Sequence, residues 1–183
     1  MTSTRLSRGT AAAALLTALA LGGCSAHPGA AAVVDGERIT EAELSRAVSD
    51  FAAVTGQQVD PVAMLGTLVV APALLEVGSE HGVGASEDEA VALLDQQAEA
   101  AGLTAPEGGY GSGVIDVAQM TLVNQRLAAA PEGAAAAQAI TERISQAEVE
   151  VSPRYGEFDP SGQIVPQSLP WIATTTPPAT PVG

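Results

Sequence analysis

The side chains that most often carry chemistry, thiols and imidazoles, are scarce in this 183-residue sequence, which holds one cysteine and two histidines. Neither histidine has a second metal ligand or a nucleophile at a recognisable spacing, so we predict no catalytic constellation, no metal site and no cofactor. A single cysteine also excludes an internal disulfide. The chemistry that remains is modification of that one thiol, Cys24.

Cys24 follows a short apolar segment at the N-terminus. Residues 1–8 hold two arginines and no acid, and residues 10–21 form an uncharged, mainly apolar run. A basic start, a short apolar middle and small residues at the cut are typical of a secretory signal peptide. The tetrad Leu21-Gly22-Gly23-Cys24 also resembles a bacterial lipobox. That resemblance implies cleavage between Gly23 and Cys24 and attachment of diacylglycerol to the Cys24 thiol, with further acyl chains such as palmitate.

An acylated Cys24 predicts a protein fixed to the cell membrane on its extracytoplasmic face. Each buried methylene of a lipid chain contributes about 0.8 kcal/mol, so several chains anchor stably. Residues 1–23 are then the signal peptide, and residues 24–31, made mainly of small side chains, form a lipidated tether. The alternative is a plain secretory signal followed by an incidental cysteine.

Charge restricts the partners further. The chain has no lysine and a net charge of −14, which becomes −16 once Arg5 and Arg8 are removed with the signal peptide. Nucleic acids and anionic lipid surfaces attract cationic patches, so neither is expected as a partner.

The stretch from Pro61 to Leu75 carries no charge and has apolar residues on every face. Such a helix is either the buried centre of a fold or a membrane span. A span needs about 20 apolar residues, and this run is shorter, so we expect a central core helix. Asp60 is the predicted N-cap and Gly82 the predicted stop, whereas Pro72 should kink or split the helix.

Four amphipathic helices are predicted around that centre, over residues 40–55, 86–101, 114–129 and 134–147. Two of them open with capping boxes, Thr40 with Glu43 and Ser86 with Glu89. The predicted inward positions are Leu44, Ala47, Val48, Phe51, Val54, Ala90, Leu94, Ala98, Ala101, Ile115, Ala118, Leu122, Val123, Ala136, Ile140, Ile144 and Ala147.

Short strands are expected at the two ends of the domain. Asp35-Gly36 suits a type I′ hairpin turn within residues 32–39, and residues 148–151 alternate with period two. We expect these ends to pair. The predicted fold is therefore mainly α: a compact bundle of about five helices around a hydrophobic central helix, with a small β-hairpin and strand pairing.

Two segments show no periodicity. The glycine-rich residues 104–113 lack the features of a phosphate-binding loop and predict a flexible connection between helices. Residues 160–183 are rich in proline and threonine and predict a disordered or extended tail.

The order of motifs resembles the N-terminal domain of SurA-type chaperones, in the lipid-anchored branch of high-GC Gram-positive bacteria. The similar stretches are V-V-D-G-E-x-I-T-E-A-E-L, the hydrophobic helix, H-G-V-x-A-S-E-D-E and V-S-P-R-Y-G-E-F-D, within residues 32–159. The resemblance implies a helical core that holds unfolded exported chains. Relatives usually carry a parvulin prolyl-isomerase domain, for which this chain has no room, so no isomerase activity is expected.

Within the last of those motifs, Arg154, Tyr155 and Phe158 are predicted to be structural anchors. Arg154 would pair with an acid such as Glu37 or Asp159, while the two rings would cover the core, because large rings bury much area in a chain this poor in aromatics. The alternative is a functional site in the same segment.

Two functions without catalysis compete for this chain. One is chaperone-like (holdase) binding of unfolded exported polypeptides; the other is a structural or adaptor lipoprotein that docks one envelope partner. An enzyme is not expected, since the required residue sets are missing. An exposed apolar groove between helices would favour chain binding, and a sealed surface would favour the adaptor.

Overall fold

The computed structural model describes residues 28–159 and 161–167. Within those residues the chain is mainly helical, with five helices and a few short antiparallel strands, which confirms the predicted fold class. The elements in order are β1 Ala30–Val34, β2 Glu37–Thr40, α1 Glu41–Thr55, α2 Pro61–Glu80, α3 Glu87–Ala100, α4 Ser112–Ala129, α5 Gly133–Gln146, β3 Val149–Val151, β4 Glu157–Phe158 and β5 Ile164–Val165.

A three-stranded sheet of order β2-β1-β3 joins the two ends of the domain. Asp35 and Gly36 both take positive φ, 50° and 87°, as the predicted type I′ turn requires. Strand β3 pairs antiparallel with β1, with Val34 opposite Val149. The predicted pairing of the ends is therefore confirmed, and an extra bond from the Glu148 N–H to Asp35 Oδ1 (2.8 Å) fixes the turn.

The predicted tether is shorter than residues 24–31. Strand β1 begins at Ala30, and the Ala31 side chain is fully buried in the core. An alanine-rich stretch can pair as a strand because backbone bonds, rather than side chains, join it to its neighbours. Residues 24–27 lie outside the described residues.

Local signals set the helix ends where the sequence places them. Both predicted capping boxes are present, at Thr40 with Glu43 and at Ser86 with Glu89. Helix α2 ends in a Schellman motif: Gly82 has φ 68° and the Val83 N–H donates to the Gly78 carbonyl at 2.9 Å.

Helix α2 is continuous over 20 residues, with Pro72 inside it. Of the two predicted alternatives, the split at Pro72 is therefore wrong, and the kink stays a prediction. An internal proline costs about 3 kcal/mol through the lost backbone bond and the ring clash. The core on both sides of Pro72 offsets that cost, because α2 contacts α1, α4, α5 and β1. The buried residues of α2 are Met64, Leu65, Leu68, Val69, Ala71, Ala73, Leu74, Val77 and Gly78.

Ala101 and Asp50 differ from the predicted faces of their helices. Ala101 was expected to face inward but is exposed at the end of α3, and Leu122 is only half-buried. Asp50 is not among the predicted inward positions of α1, but it is only 7% exposed, because the chain before α4 folds over it. Helix α5 lies at the edge, where Ala136 is buried and Ile140 and Ile144 are half-buried.

The predicted tail begins with packed structure. Residues Ile164–Val165 form β5, which pairs antiparallel with β4 at Glu157–Phe158. Ile164 packs against the core beside Phe158. The domain therefore extends past the predicted boundary at residue 159, through at least Gln167, and residues 168–183 lie outside the described residues.

Candidate functional site

The structure brings some of the predicted site residues together and leaves others outside its range. Gly23 and Cys24, the predicted cleavage and lipidation residues, lie outside the described residues, as does His27. Arg154, Tyr155 and Phe158 lie between β3 and the end of β4. Tyr155 and Phe158 pack against the core cluster that contains Leu44 and Leu65.

Arg154 pairs with an acid, as predicted, but that acid is Glu41 and not Glu37 or Asp159. The Arg154 Nη1 to Glu41 Oε1 distance is 3.1 Å, and the Tyr155 hydroxyl donates to the other oxygen of the same carboxylate. The guanidinium lies 5.3 Å from the centre of the Tyr155 ring. Partial burial and the bond to Glu41 raise the pKa of Tyr155. The arrangement ties the C-terminal part of the domain to the first turn of α1.

The glycine-rich connection before α4 is held by side chains from two helices, contrary to the flexible loop expected. The buried Asp50 accepts a bond from the Gly111 N–H at 2.7 Å, and Arg46 donates to the Gly109 carbonyl at 3.0 Å. The Tyr110 hydroxyl donates to Asp95 Oδ1 at 2.9 Å. Burial, together with that carboxylate, raises the pKa of Tyr110 to about 12.

The clearest candidate binding site is a groove of about 520 Å³ on the outer face of α2. It is open to solvent on one side, with α2 as its floor, Met120 of α4 as one wall and the turn before β5 as the other. We call this the α2 groove. Its lining residues are Asp60, Val62, Ala63, Gly66, Thr67, Val70, Met120, Gly162, Gln163 and Ile164.

The lining of the α2 groove is small or apolar at most positions. Gly66 has open space where a side chain would stand. The Thr67 hydroxyl is turned back onto its own helix, donating to the Ala63 carbonyl at 3.0 Å. The single charged residue, Asp60, is occupied as N-cap by the N–H groups of Val62 and Ala63. Few polar groups are therefore left to compete with an apolar occupant.

A second depression, of about 400 Å³, lies where the chain enters the domain and has a different character. Its lining includes Glu41, Glu150 and Arg154 beside Pro28 and Val33. Glu41 is already engaged by Arg154 and Tyr155. Charged and engaged side chains suit an apolar chain poorly, so the α2 groove is the better candidate.

Most of the remaining ionisable side chains are carboxylates. Asp116 on α4 is half-buried, and burial together with the charges of Glu43 and Glu87 raises its pKa. No group of three metal-ligating side chains occurs in the part of the chain that the structure describes. His81 forms the C-cap of α2, where its Nδ1 lies 3.6 Å from a carboxylate oxygen of Glu132.

Sequence reasoning did not find the α2 groove. The all-round apolar pattern of α2 indicates burial on every side, and the one available signal is the spacing of small residues at Ala63, Gly66 and Thr67. By length and composition α2 is also able to cross a membrane, with a mean hydropathy of 1.8. A core helix passes the same test, and α2 occupies the centre of this fold.

Comparisons with protein-family models, curated proteins and solved structures gave no match to this chain. The likeness to SurA-type chaperones therefore stays a prediction from sequence motifs, and the function is argued from the α2 groove.

Proposed function

We propose that this protein is a lipid-anchored, extracytoplasmic holdase that binds short apolar segments of unfolded exported chains in the α2 groove. The observation that carries the proposal is the groove itself: an open apolar channel on the central helix, bounded by Met120 and Ile164. Catalysis is not part of the proposal.

The dimensions of the groove set the size of its ligand. From Val62 to Val70 the helix rises about 12 Å, at 1.5 Å per residue. About four extended residues cover that distance. Small side chains at Ala63 and Gly66 allow a bound backbone to approach closely. A site of this size favours weak binding that tolerates many apolar sequences, as a holdase requires.

Anchoring and charge fit the same role. Lipid on Cys24, which the lipobox-like tetrad predicts, would hold the domain at the extracytoplasmic face of the cell membrane, where exported chains emerge unfolded. A net charge of −16 after removal of the signal peptide favours the solubility of a protein with an apolar groove.

Acylation of Cys24 is tested by mass spectrometry of the membrane fraction. We expect an N-terminal, acylated Cys24, and release of the Cys24→Ala protein from the membrane. An intact Met1 terminus, or a Cys24→Ala protein that remains in the membrane, would contradict the anchor.

Binding is tested with the mature chain from Ser25 to Gly183, made without lipid. It should bind labelled apolar peptides in the micromolar range, which is common for small transient interfaces, and slow the aggregation of a denatured protein. Binding should persist at high salt, because burial of apolar surface is not screened as charge pairs are.

A matched pair of variants localises the site. Thr67→Glu places a charge in the groove, whereas Thr141→Glu places one on the exposed face of α5. In both positions the threonine hydroxyl bonds the carbonyl four residues earlier, at 3.0 Å, so the local change is the same. Peptide binding should fall at least tenfold in Thr67→Glu and stay unchanged in Thr141→Glu. Equal binding by both variants would exclude the groove.

Prolyl isomerase activity is not expected of the α2 groove, because the groove is lined mainly by small and apolar side chains. The test is a proline-limited refolding reaction. Catalysis above background by the pure protein would overturn this part of the proposal.

An adaptor lipoprotein is the second candidate, favoured by a different observation. Among the described residues, the large hydrophobic side chains classed as exposed are Leu103 and Val165, at 38% and 37%. Outside the α2 groove, the described surface therefore exposes little apolar area, which suits one specific envelope partner better than many unfolded chains. Failure of both binding assays, with one stoichiometric partner recovered by crosslinking at the membrane, would select the adaptor.

A further inference from the structure

The described chain ends beside the α2 groove. Gly162, Gln163 and Ile164 form one wall of the groove, and β5 follows at once. Gln167, the last described residue, donates from Nε2 to Glu157 Oε1 at 2.9 Å on the neighbouring strand. The point at which the chain leaves the domain is therefore close to the groove and held in place.

The segment that follows has the composition of a groove ligand. Residues 168–183 carry no charged side chain, in a protein with a net charge of −14. Leu169-Pro170-Trp171-Ile172, here the LPWI segment, is the most apolar part of that stretch and contains the sole tryptophan of the chain. A neutral segment approaches this acidic domain without repulsion, and a tryptophan buries about 150–250 Å².

Chain length permits the contact. Trp171 follows Gln167, the last described residue, by four residues, which extend to at most about 14 Å, and Gln167 lies three residues beyond Ile164. The groove floor from Val62 to Val70 is about 12 Å long. Trp171 can therefore reach the part of the groove next to Ile164, and the four residues of the LPWI segment are about as long as the groove floor.

We propose that the LPWI segment docks in the α2 groove of its own chain and competes there with exported polypeptides. Docking itself depends only on the groove, whereas the competition rests on the proposed function. A tethered segment is present at an effective concentration in the millimolar range, so a weak intrinsic affinity is enough to occupy the site. The tail then lowers the affinity for clients and leaves the groove covered when no client is present.

Docking is tested by fluorescence, since Trp171 is the only tryptophan in the protein. In the mature chain without lipid, its emission should be shifted to shorter wavelength and protected from acrylamide, relative to the same chain in denaturant. Thr67→Glu should return the emission to the denatured position, while Thr141→Glu should leave the native emission unchanged. Circular dichroism verifies that each variant retains its helix content.

If the Thr67→Glu protein does not fold, a second variant in the groove, Gly66→Leu, tests the docking of the LPWI segment in the same way. Gly66→Leu fills the groove, and its side chain starts in open space. This variant should also expose Trp171. Native emission equal to that of the denatured chain, or emission unaffected by Gly66→Leu in the folded protein, would overturn the proposal. A blue shift that disappears on dilution indicates docking into a second copy and overturns the intramolecular form.

Competition is measured with a chain that stops at Gln167, which keeps β5 and both groove walls. Removing the tail should tighten binding of the apolar peptide about two- to tenfold, as expected when a weak tethered competitor is lost. Peptide binding by a protein whose Trp171 is solvent-exposed would leave the proposed function standing and reject the docked tail. A protected Trp171 with no peptide binding by either chain would reject the proposed function and keep the docked tail.

Discussion

The two sides of helix α2 differ in how tightly the rest of the molecule covers them. On the inner side, Leu65 and Val77 are fully buried, and Gly78 lies against Val123. On the outer side, Val62 and Val70 are half-buried, and Gly66 faces open space. One helix therefore supplies both the centre of the core and the floor of the candidate binding site.

The two glycines show what this difference means physically. A Cβ built on Gly78 would lie 2.5 Å from Val123 Cγ1, whereas one built on Gly66 meets nothing within 4 Å. Both residues are helical and neither needs positive φ. Gly78 is required for close packing against α4, while Gly66 leaves space that no described residue fills. Substitutions on the two sides should therefore have opposite effects on stability.

The largest expected effect on stability comes from shortening a buried side chain on the inner side of α2. Leu68 is 6% exposed and packs in the core cluster with Leu44 and Met64. Leu68→Ala should lower the free energy of unfolding by about 2–5 kcal/mol, because the removed methyl groups leave a cavity. Urea denaturation of the mature chain measures it. A loss below about 1 kcal/mol would mean that the inner side is not a packed core.

A smaller loss is expected from Gly78→Ala. The added methyl overlaps Val123, a fully buried side chain that is stiff at χ1. Overpacking costs about 1–3 kcal/mol, and the better helix propensity of alanine returns about 1 kcal/mol. The net result should be a loss of about 1 kcal/mol by urea denaturation. A gain in stability would show that α2 and α4 are farther apart than the structure has them.

Gly66→Ala should have the opposite sign. The methyl enters open space, and alanine loses less backbone entropy than glycine in a helix, so we expect a gain of about 0.5–1 kcal/mol. Thermal denaturation of Gly66→Ala and Gly78→Ala under the same conditions compares their melting temperatures directly. The comparison is made in a chain that stops at Gln167, which lacks the proposed occupant of the groove. Destabilisation by Gly66→Ala in that chain would mean that described residues pack against this face more closely than the structure shows.

The smallest expected effect concerns two carboxylates and depends on pH. Asp50 is buried but accepts a bond from Gly111, whereas half-buried Asp116 faces the charges of Glu43 and Glu87, and its folded pKa is raised. Between the unfolded and folded pKa values the folded state binds more protons, so Asp116 lowers stability as pH rises through that window. Asp116→Asn should therefore raise the melting temperature at pH 7.

The gain from Asp116→Asn should vanish below the ordinary aspartate pKa of 3.8, where the carboxyl is neutral in both states. Melting curves at pH 3 and pH 7 provide the control within one experiment. A gain of equal size at both pH values would assign the effect to packing and not to charge.

The parts of the fold that the sequence predicts are those fixed by near neighbours. Capping boxes at Thr40 and Ser86, the Asp35-Gly36 turn and the stop at Gly82 each depend on a few consecutive residues, and all are present. The predictions that failed depend on contacts with residues far away in the chain. Asp50 is buried by a loop some 60 residues away, and Pro72 stays within a helix that is packed on several sides.

The sequence by itself determined the order of the five helices and the first three strands, the central position of α2 and the acidic character of the domain, because composition and short-range pattern carry that information. Only the tertiary structure decided that α2 is left open along Gly66, that Glu41 is the partner of Arg154, and that Ile164 forms a groove wall. These are contacts, or their absence, between segments far apart in the chain. Hydrophobic periodicity records that a residue is apolar, but which element covers it is set by how the helices and strands pack together.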